Sequence, residues 1–206
     1  MPEEKPPGRK RGRGADPAET KQSLITAAFD TLLEDGFANT TARSIAARAA
    51  CNQAAIYYHF GGIEPLLLES LKASNARRLE RYKEALAERL ELPALVAQLA
   101  ELYEEDRASG HLGVLTELAG GIAASPSLRE GIDEATQPWL AFVEHQVSIA
   151  AEGVPFAAMM PAADIADLVF SLVIGVEIRS KIDGRNDRAE RLFRLAGLGA
   201  ALLPKS

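Results

Sequence analysis

A chain of 206 residues that is 47% hydrophobic and 25% charged has the composition of an ordinary soluble globular protein, and its formal net charge is −6. No apolar run reaches about 18 residues, and no apolar segment follows the basic N-terminus, so neither a membrane span nor a signal peptide is indicated and a cytoplasmic location is expected. Cys51 is the single cysteine, which excludes an intrachain disulfide and a cysteine-based zinc site.

Residues 1–15 carry Lys5, Arg9, Lys10, Arg11 and Arg13 among prolines and glycines, without apolar periodicity, and are expected to form a disordered basic arm. The first helix is well marked. Asp16-Pro17-Ala18-Glu19 supplies an N-cap, a proline at the first helical position and an acidic third residue; Leu24, Ile25, Ala28, Phe29, Leu32 and Leu33 give the apolar face, and Gly36 the stop. Thr41 can cap a helix beginning at Ala42, with Ile45, Ala46 and Ala49 on one face. Asn52 can cap the next, in which Ile56 and Phe60 stand one turn apart on the buried side while Gln53, Ala54, Tyr57 and Tyr58 fall elsewhere on the surface. Only Ala49 to Cys51 is left for the turn. Two helices joined by about 3 to 4 residues form a helix-turn-helix, whose second helix lies in the major groove with its N-terminal residues on base edges. Cys51, at this break, is expected to be a small buried hydrophobe.

These residues resemble the DNA-binding domain of the tetracycline-repressor (TetR) family of transcriptional regulators. The features that carry the resemblance are Gly36-Phe37, Thr40-Thr41, Ile45-Ala46, Ala49-Ala50-Cys51-Asn52 and Tyr57-Tyr58-His59-Phe60, covering about a quarter of the chain. Two positions depart from the family pattern. Ala50 stands where the family usually has glycine and would have to accept a left-handed conformation at a cost of roughly 1 kcal/mol. Ile63 stands where the family has a phosphate-contacting lysine. Together with helix position, the resemblance implies DNA contacts from Thr40, Thr41, Arg43, Asn52, Gln53, Ala54, Ala55, Tyr57, Tyr58 and His59. Beside such a unit, Arg9, Lys10, Arg11 and Arg13 of the arm are expected to reach into the minor groove, a solubilising tail being the alternative reading. Residues 1–62 hold eight Lys/Arg against seven Asp/Glu, a balance of +1, whereas residues 63–206 hold fifteen against twenty-two, a balance of −7.

From Ile63 a helical pattern runs to about Leu90 and would link the reading head (16–62) to a helical body (63–206). Further helices are predicted over 93–108, 111–124, 127–152, 163–182 and 187–203, punctuated at Pro93, Gly110, Pro126, Gly153-Val154-Pro155 and Gly184. No segment reads as a strand, so the fold class is all-α. In the helix from Asp164, Ile165, Leu168, Val169, Leu172, Val173 and Val176 form one stripe and Ala166, Phe170, Ile174 and Ile178 a second; the last helix is likewise apolar on two sides. Such helices are either central to a single-chain core or, as the resemblance implies, one half of a two-fold four-helix interface, with Leu168, Leu172, Gly175, Leu195, Gly199 and Leu202 facing the partner.

Tyr103, His111, Glu117, Trp139, Phe142 and Phe156 are the candidate lining of an effector site on otherwise alanine- and leucine-rich helices. The resulting expectation is a homodimeric regulator, a repressor released from a palindromic DNA operator by a small-molecule effector. Control by a protein partner instead of a ligand is an alternative. An enzyme is a third, much weaker one: no Gly-rich phosphate loop, HExxH spacing or GxSxG elbow occurs, and neither metal nor cofactor is indicated.

Overall fold

Local capping sets the ends of the first helices. The computed structural model of the chain describes residues 16–151 and 161–202. α1 (Pro17–Asp35) starts where Asp16 accepts the Ala18 N–H at 3.0 Å and stops at Gly36, whose φ of 75° a side chain would resist. α2 (Ala42–Arg48) opens on a reciprocal box: Thr41 Oγ1 accepts the Ser44 N–H at 3.1 Å and Ser44 Oγ accepts the Thr41 N–H at 2.9 Å. α3 (Gln53–Phe60) begins with Asn52 accepting from the Ala55 N–H at 3.0 Å. Between α2 and α3 the turn passes through Ala50 at φ 52°, the one non-glycine residue with positive φ among the described residues. The strain anticipated for this alanine is therefore present.

A 3-10 turn over Phe37–Asn39, absent from the sequence reading, joins α1 to α2. Thr40 Oγ1 donates to the Gly36 carbonyl at 2.8 Å and Asn39 Nδ2 to the Asp35 carbonyl at 2.9 Å, so the polar residues after Gly36 close the turn themselves. α4 (Ile63–Ala85) stops five residues before the predicted Leu90. Leu86 and Leu90 turn inward to pack with Tyr82, Leu95 and Leu99 instead of continuing the helix. There follow α5 (Leu92–Ala108), α6 (His111–Gly121), α7 (Leu128–Ala151), α8 (Ala162–Asp183) and α9 (Arg188–Leu202). α6 ends three residues early: Gly121 faces the Phe37 ring, and Ala124 and Ser125 turn back to donate to its carbonyl at 3.0 and 2.9 Å.

All regular structure among the described residues is helical. α1 packs on α2 and on the start of α4; α4 then runs along α7, α7 along α8, and α5 along α9. The largest apolar cluster does not respect residue 62. Leu24, Leu32, Ile45 and Ile56 of α1–α3 share it with Leu66, Leu67 and Leu71 of α4, Val114 and Leu118 of α6, and Leu128 of α7. Leu24, Leu32, Ile45, Ile56 and Leu66 are wholly shielded, each contributing about 1.5–3 kcal/mol of burial. A second cluster gathers Tyr82, Leu86, Leu102 and Trp139, and a third Tyr103, Leu112, Val176 and Ala189.

The two stripes of α8 divide differently from their sequence grouping. Val173 and Val176 of the first stripe pack inward with Ala166, Phe170 and Ile174, whereas Leu168, Leu172 and Ile178 face outward. The seam between buried and open faces runs through the first stripe. No helix among the described residues is long and apolar enough to cross a membrane.

Candidate functional site

Ile56 anchors α3 from beneath, and the helix turns its other side outward. Gln53, Ala54 and Tyr57 are exposed, and Tyr58 is the most open large side chain of the group at 82%. The i, i+4 pairs Gln53/Tyr57 and Ala54/Tyr58 put these four on one helical surface. Ala55 and His59 are half-buried on its flank, the His59 ring edge-on to Tyr58 with centroids 4.9 Å apart.

Other predicted contact residues have structural duties. Thr41 and Asn52 spend their side-chain oxygens on caps, and Thr40 spends its hydroxyl proton on Gly36. Arg43 stands exposed on α2. Arg48 is held by Glu34 at 2.7 Å, which lowers the Glu34 pKa through that hydrogen bond. Cys51 is half-buried against the main cluster, and burial raises its thiol pKa. Residues 16–62 hold Lys21, Arg43 and Arg48 against Asp16, Glu19, Asp30, Glu34 and Asp35, a balance of −2. The cationic charge of the N-terminal region therefore resides in residues 1–15, where five Lys/Arg oppose Glu3 and Glu4. Arg9, Lys10, Arg11 and Arg13 lie outside the described residues, as does Phe156.

In the body, the expected effector residues fall in three places. Trp139 and Phe142 meet, with centroids 5.7 Å apart, and Tyr82 stands edge-on to Trp139 at 4.5 Å. Into this aromatic group projects Arg78, its guanidinium 3.4 Å from the Trp139 centroid and bonded to Asp106. Arg78 and Asp106 are 5% and 1% exposed, so this is a buried ion pair; Arg81 and the Tyr82 hydroxyl, at 2.8 Å, also bond the same carboxylate. Burial, above all, raises the Tyr82 pKa. His111 belongs to the same interior. Its Nδ1 is 2.9 Å from Ser74 Oγ, and its Nε2 is buried with no hydrogen-bond partner among the described residues. Burial first, and then the charges of Arg78, Arg81 and Arg77, push its pKa down to about 3. The ring is neutral at pH 7.

Tyr103 sits in the third cluster against Phe193, and burial, followed by Glu177, raises its pKa to about 12. Glu117 is elsewhere, bonded to the turn after α1. A cleft of about 640 Å³ between α5 and α9, floored by Val96, Ala97, Ala100, Phe193 and Gly197, has none of the expected effector residues in its walls. Sequence reasoning missed Arg78, Asp106, Tyr82 and Ser74. A signal for three of them was present: Leu67, Leu71, Ser74, Arg78 and Tyr82 recur at spacings of three and four, which places an arginine on the buried stripe of α4.

Leu168, Leu172 and Gly175 of α8 and Leu195 and Gly199 of α9 are all exposed, Leu172 by 52% and Leu195 by 64%. The side chain of Leu202 lies outside the described residues.

A model of the tetR family of bacterial regulatory proteins matches residues 24–70, the span from the middle of α1 to the second turn of α4. No curated protein matches the sequence. Among solved structures, the fatty acid degradation regulator FadR from Bacillus halodurans is similar with a TM-score of 0.73 at 16% identity, over 95% of this chain and 100% of that one. A transcriptional regulator from Saccharomonospora viridis in complex with choline gives 0.72 at 16% identity, over 92% and 99%. FadR from Bacillus subtilis in complex with stearoyl-CoA gives 0.70 at 16% identity, over 88% and 97%. At such identities these likenesses show the fold, and they show it from one end of those chains to the other. Residues 24–70, which hold the helix-turn-helix of α2 and α3, thus match the tetR family of bacterial regulatory proteins, and the helices behind them share the fold of transcriptional regulators.

Proposed function

We propose that this protein is a homodimeric, sequence-specific DNA-binding regulator, a repressor released from a palindromic operator when a small molecule binds among the helices of the body. Residues 16–62 form its reading head and residues 63–206 its sensing and pairing body. The observation that carries this reading is the presentation of α3: Ile56 is fully buried beneath it while Gln53, Ala54, Tyr57 and Tyr58 stand open on one surface. Glutamine can pair bidentately with adenine and alanine can touch a thymine methyl, so this surface is suited to base edges. The charge of −2 on residues 16–62 supports phosphate attraction by Arg9, Lys10, Arg11 and Arg13 of the arm.

Pairing is supported by the open apolar faces of α8 and α9: Leu168, Leu172 and Gly175 are exposed on the one, Leu195, Leu198 and Gly199 on the other. Ligand control is supported by a body whose interior buries the polar groups Ser74, Arg78, Asp106 and His111, with Arg78 over the Trp139 ring, and by the complexes of similarly folded regulators with stearoyl-CoA and with choline. The deciding experiment is to sequence genomic DNA fragments retained by the purified full-length protein. A shared palindromic motif is the expected result; fragments without any common motif would reject the reading. For the effector, a metabolite that raises Tm must also weaken operator binding by the factor that operator weakens its own binding.

A further inference from the structure

α6 meets the head along its length, and glycines make the meeting possible. The Leu33 side chain, at the end of α1, lies where Cβ atoms on Gly110 and Gly113 would come within 2.4 and 3.0 Å of it. The Phe37 ring lies 2.7 Å from where a Cβ on Gly121 would stand. These two apolar notches hold the head and α6 together. Because apolar contact is non-directional, they resist separation better than they resist sliding.

Between them stands Glu117. Its Oε2 accepts the N–H of Phe37 at 3.1 Å, an amide that opens the 3-10 turn and has no acceptor within it. Its Oε1 is 3.3 Å from Lys181 Nζ, which donates as well to Thr116 Oγ1 at 2.7 Å. Lys181 comes from α8, the helix whose outer face exposes Leu168 and Leu172. One carboxylate thus joins the turn leading into α2, the helix α6, and the helix offered to a second subunit. Lys181 and Glu117 are 42% and 35% exposed, so their pair adds little energy, but hydrogen bonds are directional and can fix the register that the notches leave loose.

We propose that Glu117 is a positioning residue for DNA reading: through Lys181 it ties the orientation of the head to α8, so that subunit pairing sets the separation of the two recognition helices. The inference rests on the dimeric reading above and adds the residues that transmit it.

The test uses full-length E117A, E117Q and K181M proteins. By hydrogen exchange, the Phe37 amide should open at least about ten-fold faster in E117A, and less so in E117Q, which keeps an oxygen acceptor. Unchanged exchange in E117A overturns the proposal. On a palindromic motif recovered from retained fragments, E117A and K181M should lower the ratio of full-site to half-site affinity by about five-fold or more, with half-site affinity preserved. A merely structural role would lower both affinities or neither, and either pattern overturns the proposal. K181M changes an exposed side chain and keeps the test open if E117A does not fold. If the wild type binds full and half sites equally, the dimeric reading fails, while Phe37 exchange still judges the Glu117 contact.

Discussion

The guanidinium carbon of Arg78 lies over Trp139, 3.4 Å from the ring centroid, and the Asp106 carboxylate is bonded to the same group. A buried cation is thus shared between an aromatic face and a carboxylate from a different helix, α4 and α5 being joined to α7 through one side chain. Removing one partner of such a pair costs more than removing both, because it leaves an uncompensated charge in the interior. D106A should lower stability by about 3–5 kcal/mol, and R78M in the D106A background should restore much of it. Denaturant titrations of the two variants check the order. Trp139, the one tryptophan, reports the change by its emission.

His111 makes stability depend on acidity. Its pKa in the folded protein is pushed down to about 3 from an ordinary 6.5, so between these values the unfolded chain binds a proton that the folded one refuses. Stability is therefore full above about pH 6.5 and falls as pH drops toward 3, with a slope of up to about 1.4 kcal/mol per pH unit from this residue. H111N, which cannot take up the proton, should flatten the acid limb of a Tm-against-pH curve. An identical limb in the variant would remove His111 as its source.

For base reading, Q53A is the informative substitution. Gln53 is exposed at the first position of α3 and is not its cap, so the change leaves the fold intact. Affinity for the preferred site should fall by about 1–3 kcal/mol while affinity for random DNA barely changes. Equal losses on both would show that Gln53 touches phosphate or nothing sequence-specific.

Leu172→Arg and Leu195→Arg probe the pairing of subunits. Both leucines are more than half exposed in the single chain, so an arginine at either position costs the subunit little. Within a dimer interface it would bury an unpaired charge and dissociate the pair. Sedimentation should show monomers for at least one variant, with a Tm below that of the parent by the stabilisation that association supplies. Two variants that both stay dimeric would place the interface elsewhere.

Features governed by neighbours in sequence were legible before the fold was known. Asp16, Thr41 and Asn52 each cap a helix from within three residues, and Gly36 ends α1 where its φ of 75° allows. Spacing located the turn at Ala49 to Cys51, and the strain at Ala50 followed from the resemblance, which puts a glycine there. Features governed by distant partners were not. Glu117 finds Phe37 across 80 positions, and nothing around residue 117 announces that meeting. The early ends of α4 and α6 have the same origin: good helix formers yield where Leu86 and Leu90 gain more by packing on α5, and where Gly121 faces Phe37. Of the candidate site, the open face of α3 was readable because a single period of 3.6 residues separates it from Ile56. The Arg78–Asp106 pair was half readable, since the stripe on α4 contained the arginine while its counter-ion lies on another helix.

Because Leu66, Leu67 and Leu71 complete the core beneath Leu24, Leu32 and Ile56, the head is expected to melt together with α4 and not by itself. Anyone grafting a foreign reading head onto this body would need to cut beyond Leu71 and to import the partners of Leu33 and Phe37 on α6; a junction at residue 62 would separate two halves of one hydrophobic interior.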